Sequence, residues 1–182
     1  KYSEIERVRL GSLEPDHITD DMIAGLKQVT KLCPQFHISV QSGCNNVLKA
    51  MNRHYTAEEY EELANKLRRT FEDATITTDV LVGFPTETEE DFRTTCDFVK
   101  RIGFEKVHVF PYSVREGTRA EKMEQLTKAV KETRAATLSE ITDEIRKDYL
   151  MEQKGKTVSV LFEIYKEGYS EGYTENYTPV RI

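Results

Sequence analysis

The feature that most constrains the fold is a repeated pattern in residues 5–112, where a short apolar segment is followed by a turn and then by a helical pattern. Four apolar segments are strand-like, and they are 7–10, 36–40, 75–82 and 106–110. Strands that alternate with helices pair in parallel and are joined by right-handed crossovers. The sequence therefore predicts an α/β fold with a parallel sheet. It leaves open whether that sheet is a doubly wound sheet or an arc of a barrel.

Local signals predict where the helices begin and end. Thr19, Asn45 and Thr56 are each placed to cap a helix, and Thr56 begins a capping-box pattern. A fourth helix is predicted from about Glu89 to its stop at Gly103. The apolar stripe of the first helix is predicted to be Met22, Leu26 and Val29.

A different pattern follows residue 118. A long charged helix is predicted over 119–153, ended by Gly155, and two strand-like segments follow at 157–164 and 173–182. The predicted division is a sheet domain 1–118, a connecting helix 119–154 and a small β module 155–182. Two strands alone are marginal in water, so we expect the chain to end within that module.

Composition excludes several classes of protein. The net charge of −6 argues against wrapping nucleic acid through bulk positive charge. There is neither an apolar run long enough to span a membrane nor an apolar signal core at the start, so a cytoplasmic protein is expected. The three cysteines lack CxxC and CxxxCxxC spacing, and the four histidines lack ligand spacing. No metal site is predicted, and the histidines are interpreted as surface or core residues.

Polar residues follow several of the predicted strands. Ligands of parallel α/β folds bind at the carboxyl ends of the strands, so we expect 12–15, 41–45, 83–87 and 111–118 to share one rim. Gly83 would let the backbone approach a ligand there, although the segment is also typical of a plain strand–turn–helix joint. Gln41 and Ser42 could hydrogen-bond a ribose or an amino acid group, or satisfy their own loop.

Two charged residues, Arg53 and Asp79, are the remaining candidate site residues that sequence patterns alone provide. Arg53 follows a short helix, where a cation is favourable, and its guanidinium could equally bind a carboxylate. Asp79 lies inside a strand and requires a partner if it is buried. No nucleophile–base pair and no glycine-rich phosphate loop occurs. These patterns predict a polar ligand rim but no particular reaction.

Four sequence segments resemble the methylthiotransferases of the radical S-adenosylmethionine (SAM) superfamily. They are HISVQSGCNNVLKAMNRHYTAEEY, TTDVLVGFPTETEEDF, VHVFPYSVREGT and GYTENYTPVRI, in the order that the family has them. The forms HISVQSG and VRLGSLEP most resemble the branch that acts on threonylcarbamoyladenosine beside the tRNA anticodon. The resemblance implies strands three to six of a partial six-stranded barrel, a connecting helix and the first part of a TRAM β module.

The resemblance also implies an activity and its cofactors. The whole enzyme would use SAM and iron–sulfur clusters to insert sulfur and a methyl group into an adenosine of tRNA. The cluster is held by CxxxCxxC, which this chain lacks. We therefore expect no catalytic residue, no bound cluster and no activity in this chain alone. The alternatives are the isopentenyladenosine branch of the family and a non-catalytic RNA-binding or scaffold half-barrel.

Site residues are carried over from the same resemblance. Cofactor-binding residues would be Gln41, Ser42, Arg53, Val82, Gly83, Phe84, Pro85 and Glu87. Among these, the segment 82–87 would lie against the adenine, Gln41 and Ser42 would face the ribose or methionine part, and Arg53 the carboxylate. Substrate-facing residues would be Glu14, Asp79, Tyr112 and Ser113. The implied partner is tRNA, and exposed sheet edges lead us to expect either self-association or an unusually covered edge.

Overall fold

The computed structural model describes residues 4–182. Its elements are β1 (Ser12–Leu13), α1 (Asp20–Leu26), β2 (Gln35–Ile38), α2 (Asn45–Ala50), α3 (Ala57–Thr70), β3 (Thr75–Val82), α4 (Glu89–Ile102), β4 (Lys106–Pro111), α5 (Lys128–Glu152), β5 (Val160–Lys166), β6 (Tyr169–Thr174) and β7 (Pro179–Arg181). Short 3₁₀ turns lie at Pro15–His17 and Arg119–Lys122. None of the helices in the described part is both long and apolar enough to cross a membrane.

The strands β1, β2, β3 and β4 form one sheet in that order, and all neighbouring pairs are parallel. The predicted α/β class with a parallel sheet is therefore confirmed. β1 and β4 are the outer strands of this order. Self-association through such edges stays a prediction.

The two faces of the sheet have different compositions. Phe36, Ile38 and Val80 are fully buried and belong to the hydrophobic core that the helices cover. Because side chains alternate along a strand, the intervening residues point to the other face. That face carries polar side chains, including His37 and Asp79. One side of the sheet therefore forms a core, and the other is polar and able to contact a ligand.

The first strand and first helix differ from the prediction. The expected strand at 7–10 contributes only a bridge between Val8 and Leu32, and the paired strand is β1. In α1 the buried residue is Ile23, whereas Val29 lies beyond the helix and is exposed. The predicted stripe is therefore confirmed only in part: Leu26 packs against the core, but Val29 does not, because α1 ends at Leu26.

Two helix starts also differ. Asn45 is the first residue of α2 and not its cap, because its side chain instead accepts a hydrogen bond from the Ala57 amide at 2.8 Å. The long helix does not begin at residue 119: Met123 is extended, and α5 starts after Thr127, whose hydroxyl accepts from the Val130 amide. Such a cap satisfies a backbone donor that has no partner within the helix.

The C-terminal segment forms a three-stranded antiparallel sheet in the order β5, β6, β7. The predicted single strand at 173–182 was wrong, because Tyr177 has a φ of 65° and the chain reverses before β7. This small sheet contacts the larger domain through polar groups. Arg7 donates to the Tyr173 carbonyl at 2.6 Å, and Asn176 donates to the Asp73 carbonyl at 3.0 Å.

Candidate functional site

A cavity of about 800 Å³ lies at the carboxyl ends of β2, β3 and β4. It is lined by Gln41, Ala50, Met51, Asn52, Arg53, Asp79, Leu81, Phe84, Phe110, Pro111, Tyr112, Ser113, Arg115, Thr118, Arg119 and Ala120. This volume is within the range of small-molecule sites. A smaller cavity of about 420 Å³ lies between α5 and the small sheet, away from these strand ends. The larger one is the candidate site, because its position is the one that parallel folds use.

Gln41 lines the cavity in a strained backbone conformation. Its φ is 66°, in the left-handed region that non-glycine residues rarely adopt. Two backbone hydrogen bonds to β3 stabilise this conformation. The Gln41 backbone amide donates to the Asp79 carbonyl, and the Gln41 carbonyl accepts from the Leu81 amide. No hydrogen bond to its side-chain amide exists within residues 4–182. The Gln41 amide is therefore held at the cavity with donor and acceptor groups available to a ligand.

Phe84 and Tyr112 form an aromatic wall of the cavity. Their ring centroids are 5.2 Å apart in an edge-to-face arrangement, and the Lys131 ammonium lies 5.0 Å from the Tyr112 centroid. The Tyr112 hydroxyl is buried and has no hydrogen-bond partner in the described part of the chain. A buried hydroxyl without a partner is unfavourable, so this oxygen is a site where a ligand group would be stabilised.

Arginine side chains give the cavity a positive balance. Arg53, Arg115 and Arg119 line it, against the single carboxylate of Asp79. Arg53 also donates a 2.7 Å hydrogen bond to Glu14, which places Glu14 at the same rim. Arg115 lies within the predicted rim segment 111–118 and Arg119 directly follows it, although neither was predicted as an individual site residue. An anionic ligand group is favoured here.

Ser42 does not present its hydroxyl to the cavity. Its side chain is fully buried, lies 3.1 Å from the Thr95 hydroxyl of α4 and accepts a hydrogen bond from the Cys44 amide. The predicted contact between this hydroxyl and a cofactor is therefore corrected: the group fixes the loop before α2 against α4. The expectation that the loop satisfies itself was the better one for Ser42.

The segment 82–87 serves packing more than ligand contact. Only Phe84 of this segment lines the cavity, while Val82 and Pro85 are buried within the protein. Gly83 has a φ of 74°, and a Cβ added there would lie 2.6 Å from Lys131 Cγ. The close approach that glycine permits is thus to α5, and the predicted approach of this backbone to a ligand stays a prediction.

Glu87 likewise contacts α5 and not the cavity. Its carboxylate accepts from the Gly83 amide at 2.9 Å and from Arg134 at 2.6 Å, and both side chains of the ion pair are nearly inaccessible. Burial raises the pKa of Glu87, while the Gly83 amide and Arg134 oppose that rise. The predicted contact of Glu87 with a cofactor is corrected to a structural ion pair that holds the helix on the loop.

The cysteines are dispersed and do not form a cluster site. Cys33, Cys44 and Cys96 are all buried and unpaired. Burial raises the pKa of each thiol, that of Cys96 to about 11, which disfavours the thiolate that binds iron. The side chains of residues 4–182 that could together hold a metal ion are His37, Asp79 and His108, with no cysteine among them. These thiols do not fit an iron–sulfur cluster.

Comparison with known sequences gives a consistent match. Residues 4–99 match the family described as the Radical SAM superfamily. A tRNA-2-methylthio-N(6)-dimethylallyladenosine synthase from Thermoanaerobacter sp. is 44% identical over 160 residues, covering 87% of this chain and 34% of the relative. The threonylcarbamoyladenosine tRNA methylthiotransferase MtaB of Bacillus subtilis is 40% identical over 165 residues, covering 90% and 37%. The chain spans about a third of the length of these curated relatives.

Comparison with solved structures supports the fold. Coproporphyrinogen III oxidase (HemN) from Escherichia coli, described as a radical SAM enzyme, aligns with a TM-score of 0.60 at 20% identity, covering 74% of this chain and 32% of that one. The archaeal Elp3 protein of Methanocaldococcus infernus aligns with a TM-score of 0.57 at 12% identity, covering 90% and 51%. At these identities the likeness is one of architecture.

Proposed function

Since the chain belongs to the radical SAM superfamily, we propose that its four-stranded sheet is part of the catalytic barrel of a tRNA methylthiotransferase. The cavity at the strand ends is then the SAM site. One observation carries this proposal. The Gln41 side-chain amide and the buried Tyr112 hydroxyl belong to the same cavity, and neither has a hydrogen-bond partner within residues 4–182. The names of the relatives support the choice of tRNA methylthiotransferase within the superfamily. A cytoplasmic location agrees with a tRNA substrate.

The residues lining the cavity suggest how SAM would be held. The Phe84 and Tyr112 rings offer an apolar surface to the adenine, and the Gln41 amide can bond the ribose or the amino acid group. Arg53 can bind the carboxylate bidentately if it exchanges its Glu14 partner for the ligand. Asp79 and Ser113 also line this cavity and would face the substrate. Bound SAM supplies the radical chemistry of the superfamily.

This chain by itself is proposed to bind the cofactor without completing the reaction. Its sequence contains no CxxxCxxC, and its three thiols do not meet. The small sheet, β5–β7, is proposed to be the first part of a TRAM module that contacts tRNA. Three tyrosines of this segment, Tyr165, Tyr169 and Tyr173, are partly or largely exposed and could stack on bases.

The nucleoside is proposed to be threonylcarbamoyladenosine. The HISVQSG and VRLGSLEP forms support this branch. The isopentenyladenosine branch is the second candidate. A relative named for the same nucleoside, as dimethylallyladenosine, is 44% identical, against 40% for MtaB. Mass spectrometry of tRNA nucleosides from a strain lacking the gene separates them. Loss of the methylthio form of threonylcarbamoyladenosine alone supports the first, and loss of the dimethylallyl form alone overturns it.

SAM binding by the chain tests the cavity assignment. We expect Gln41→Ala and Tyr112→Phe each to weaken SAM binding about 2–10-fold in equilibrium dialysis, because each removes about one hydrogen bond. Gln28→Ala and Tyr165→Phe are matched controls on exposed residues outside the cavity, and they should leave affinity unchanged. Unchanged affinity in both cavity variants contradicts the assignment. RNA binding without any SAM binding would favour the non-catalytic alternative.

A further inference from the structure

The polar face of the parallel sheet brings two histidines and an aspartate together. His37 lies on β2, Asp79 on β3 and His108 on β4. Asp79 is paired with His108 in the strand register, and His37 is paired with Thr77, two residues before Asp79. Because residues two apart share a face, the three side chains point to the same side. Their ligand atoms all lie within 4.8 Å of one another.

A chain of hydrogen bonds orients the first two of these side chains. The Gln35 amide donates to the Thr77 hydroxyl at 2.9 Å, which leaves that hydroxyl free to donate to His37 Nδ1 at 2.9 Å. His37 Nε2 then lies 3.1 Å from Asp79 Oδ2, and the Ser39 hydroxyl donates to the same oxygen at 2.8 Å. His37 and Asp79 are therefore held in position by neighbours that are not themselves ligands.

His108 differs from His37 in having nothing bound to its ring nitrogens. Neither nitrogen has a hydrogen-bond partner within residues 4–182, and the ring is held only by packing. Its centroid is 5.9 Å from that of His37 and 6.5 Å from that of Phe110. His37 and Asp79 are also shielded, with side chains 14% and 27% exposed. A half-buried imidazole with unused nitrogens beside a carboxylate is a ready metal ligand.

We propose that His37, Asp79 and His108 form a binding site for a divalent transition-metal ion of the Zn²⁺ type. Two imidazole nitrogens and one carboxylate oxygen are a set that Zn²⁺ and neighbouring metals accept, with further positions open to water or a substrate oxygen. Asp79 also lines the large cavity, so the proposed site adjoins it. In this proposal His37 and His108, which sequence patterns presented as surface or core residues, are ligands of one ion.

The surroundings suit a bound ion without a change of backbone. His37 would coordinate through Nε2, and its proton would move to Nδ1 and be donated to the Thr77 hydroxyl. Ser39 would keep its bond to Asp79. A partner on the second nitrogen of a ligating histidine, and a hydrogen-bonded carboxylate, are the usual supports of such sites. The site shares Asp79 with the cavity proposed to bind SAM, whereas His37 and His108 are not among the residues that line that cavity.

Titration of the tag-free 182-residue chain with Co²⁺, followed by Zn²⁺ competition, tests the site. We expect one Co²⁺ per chain with visible d–d absorption and no thiolate charge-transfer band. His37→Ala, His108→Ala and Asp79→Asn should each weaken binding at least about tenfold, since changing a supporting residue already costs about 10–100-fold. The double variant His17→Ala/His54→Ala removes the other two histidines of the chain and should bind normally.

Three results overturn the proposal. They are no stoichiometric binding by the unaltered chain, normal binding by both His37→Ala and His108→Ala, and a thiolate band that assigns the ion to a cysteine. If a variant fails to fold by circular dichroism, ¹⁵N NMR of the unaltered chain decides the question. Zn²⁺ should then shift the ring nitrogens of His37 and His108 and leave those of His17 and His54 unchanged. The reverse pattern of shifts refutes the site.

Discussion

Replacing Arg134 by methionine tests the ion pair that fixes α5 to the loop after β3. The Glu87 carboxylate is 1% exposed and the Arg134 side chain 8% exposed, with 2.6 Å between Oε1 and Nη1. Methionine keeps an apolar stem of similar length against the Phe92 ring, over which the guanidinium now lies. The substitution therefore removes the charge partner of Glu87 with little change in packing, and it leaves a buried carboxylate unpaired.

Loss of one partner from a buried ion pair costs about 3–5 kcal/mol. For a chain of this length each kcal/mol lowers the melting temperature by roughly 2–4 °C, so we expect Arg134→Met to lower it by about 6–20 °C. The matched control is Arg93→Met, because Arg93 and its partner Glu89 are 75% and 62% exposed. Such surface pairs contribute at most about 1 kcal/mol.

The pH dependence identifies Glu87 as the cause. Its folded pKa is raised above the ordinary value of 4.5. The contribution of Glu87 to the free energy of unfolding is therefore present below about pH 4.5 and is lost as the pH rises through the folded pKa. Without Arg134 that pKa rises further, and the loss extends to higher pH. Thermal unfolding followed by circular dichroism should therefore show a larger effect at about pH 7.5 than near pH 4.5. A melting temperature no lower than that of Arg93→Met refutes this reasoning.

Two glycine substitutions give further predictions. Gly83→Ala should destabilise the fold by about 1–3 kcal/mol in urea unfolding, because of its φ of 74° and the overlap with Lys131; Gly11→Ala, where a Cβ meets nothing within 4 Å, is the control. Equal stability of these two variants contradicts the prediction. Gly172→Ala places a Cβ in steric overlap with the Leu161 carbonyl oxygen and should open the small sheet. Hydrogen exchange should accelerate in β5–β7 but not in β1–β4, and unchanged exchange in β5–β7 contradicts this.

Sequence patterns correctly predicted the helices and strands whose ends are determined by residues close by in the sequence. β3 was predicted with its observed bounds, 75–82, because a β-branched run between turn residues favours a strand. The capping box of Thr56 and Glu59 and the stop at Gly103 were also predicted correctly. These signals act over three or four residues, so the chain itself contains them. The start of α5 was missed because charge and apolar spacing continue through the non-helical residues before it.

The candidate site was predicted in position but only partly in its residues. Gln41, Phe84 and Tyr112 do line one cavity, because parallel strands end on the same edge. The hydroxyl of Ser42 and the carboxylate of Glu87 were predicted to face a ligand, and both instead bind other parts of the protein. Sequence position places a residue at a strand end, but the direction of its side chain depends on which helix packs behind it.

The sequence by itself determined the alternation of strands and helices over residues 35–111 and the edge at which the candidate polar residues collect, since these follow from local periodicity, capping and the handedness of crossovers. Only the tertiary structure decided which distant groups meet. Glu87 pairs with an arginine 47 residues away, and His37, Asp79 and His108 converge from three separate strands. These long-range contacts depend on strand register and on the packing of α5 against the sheet, and both are determined by burial of apolar surface across the whole domain.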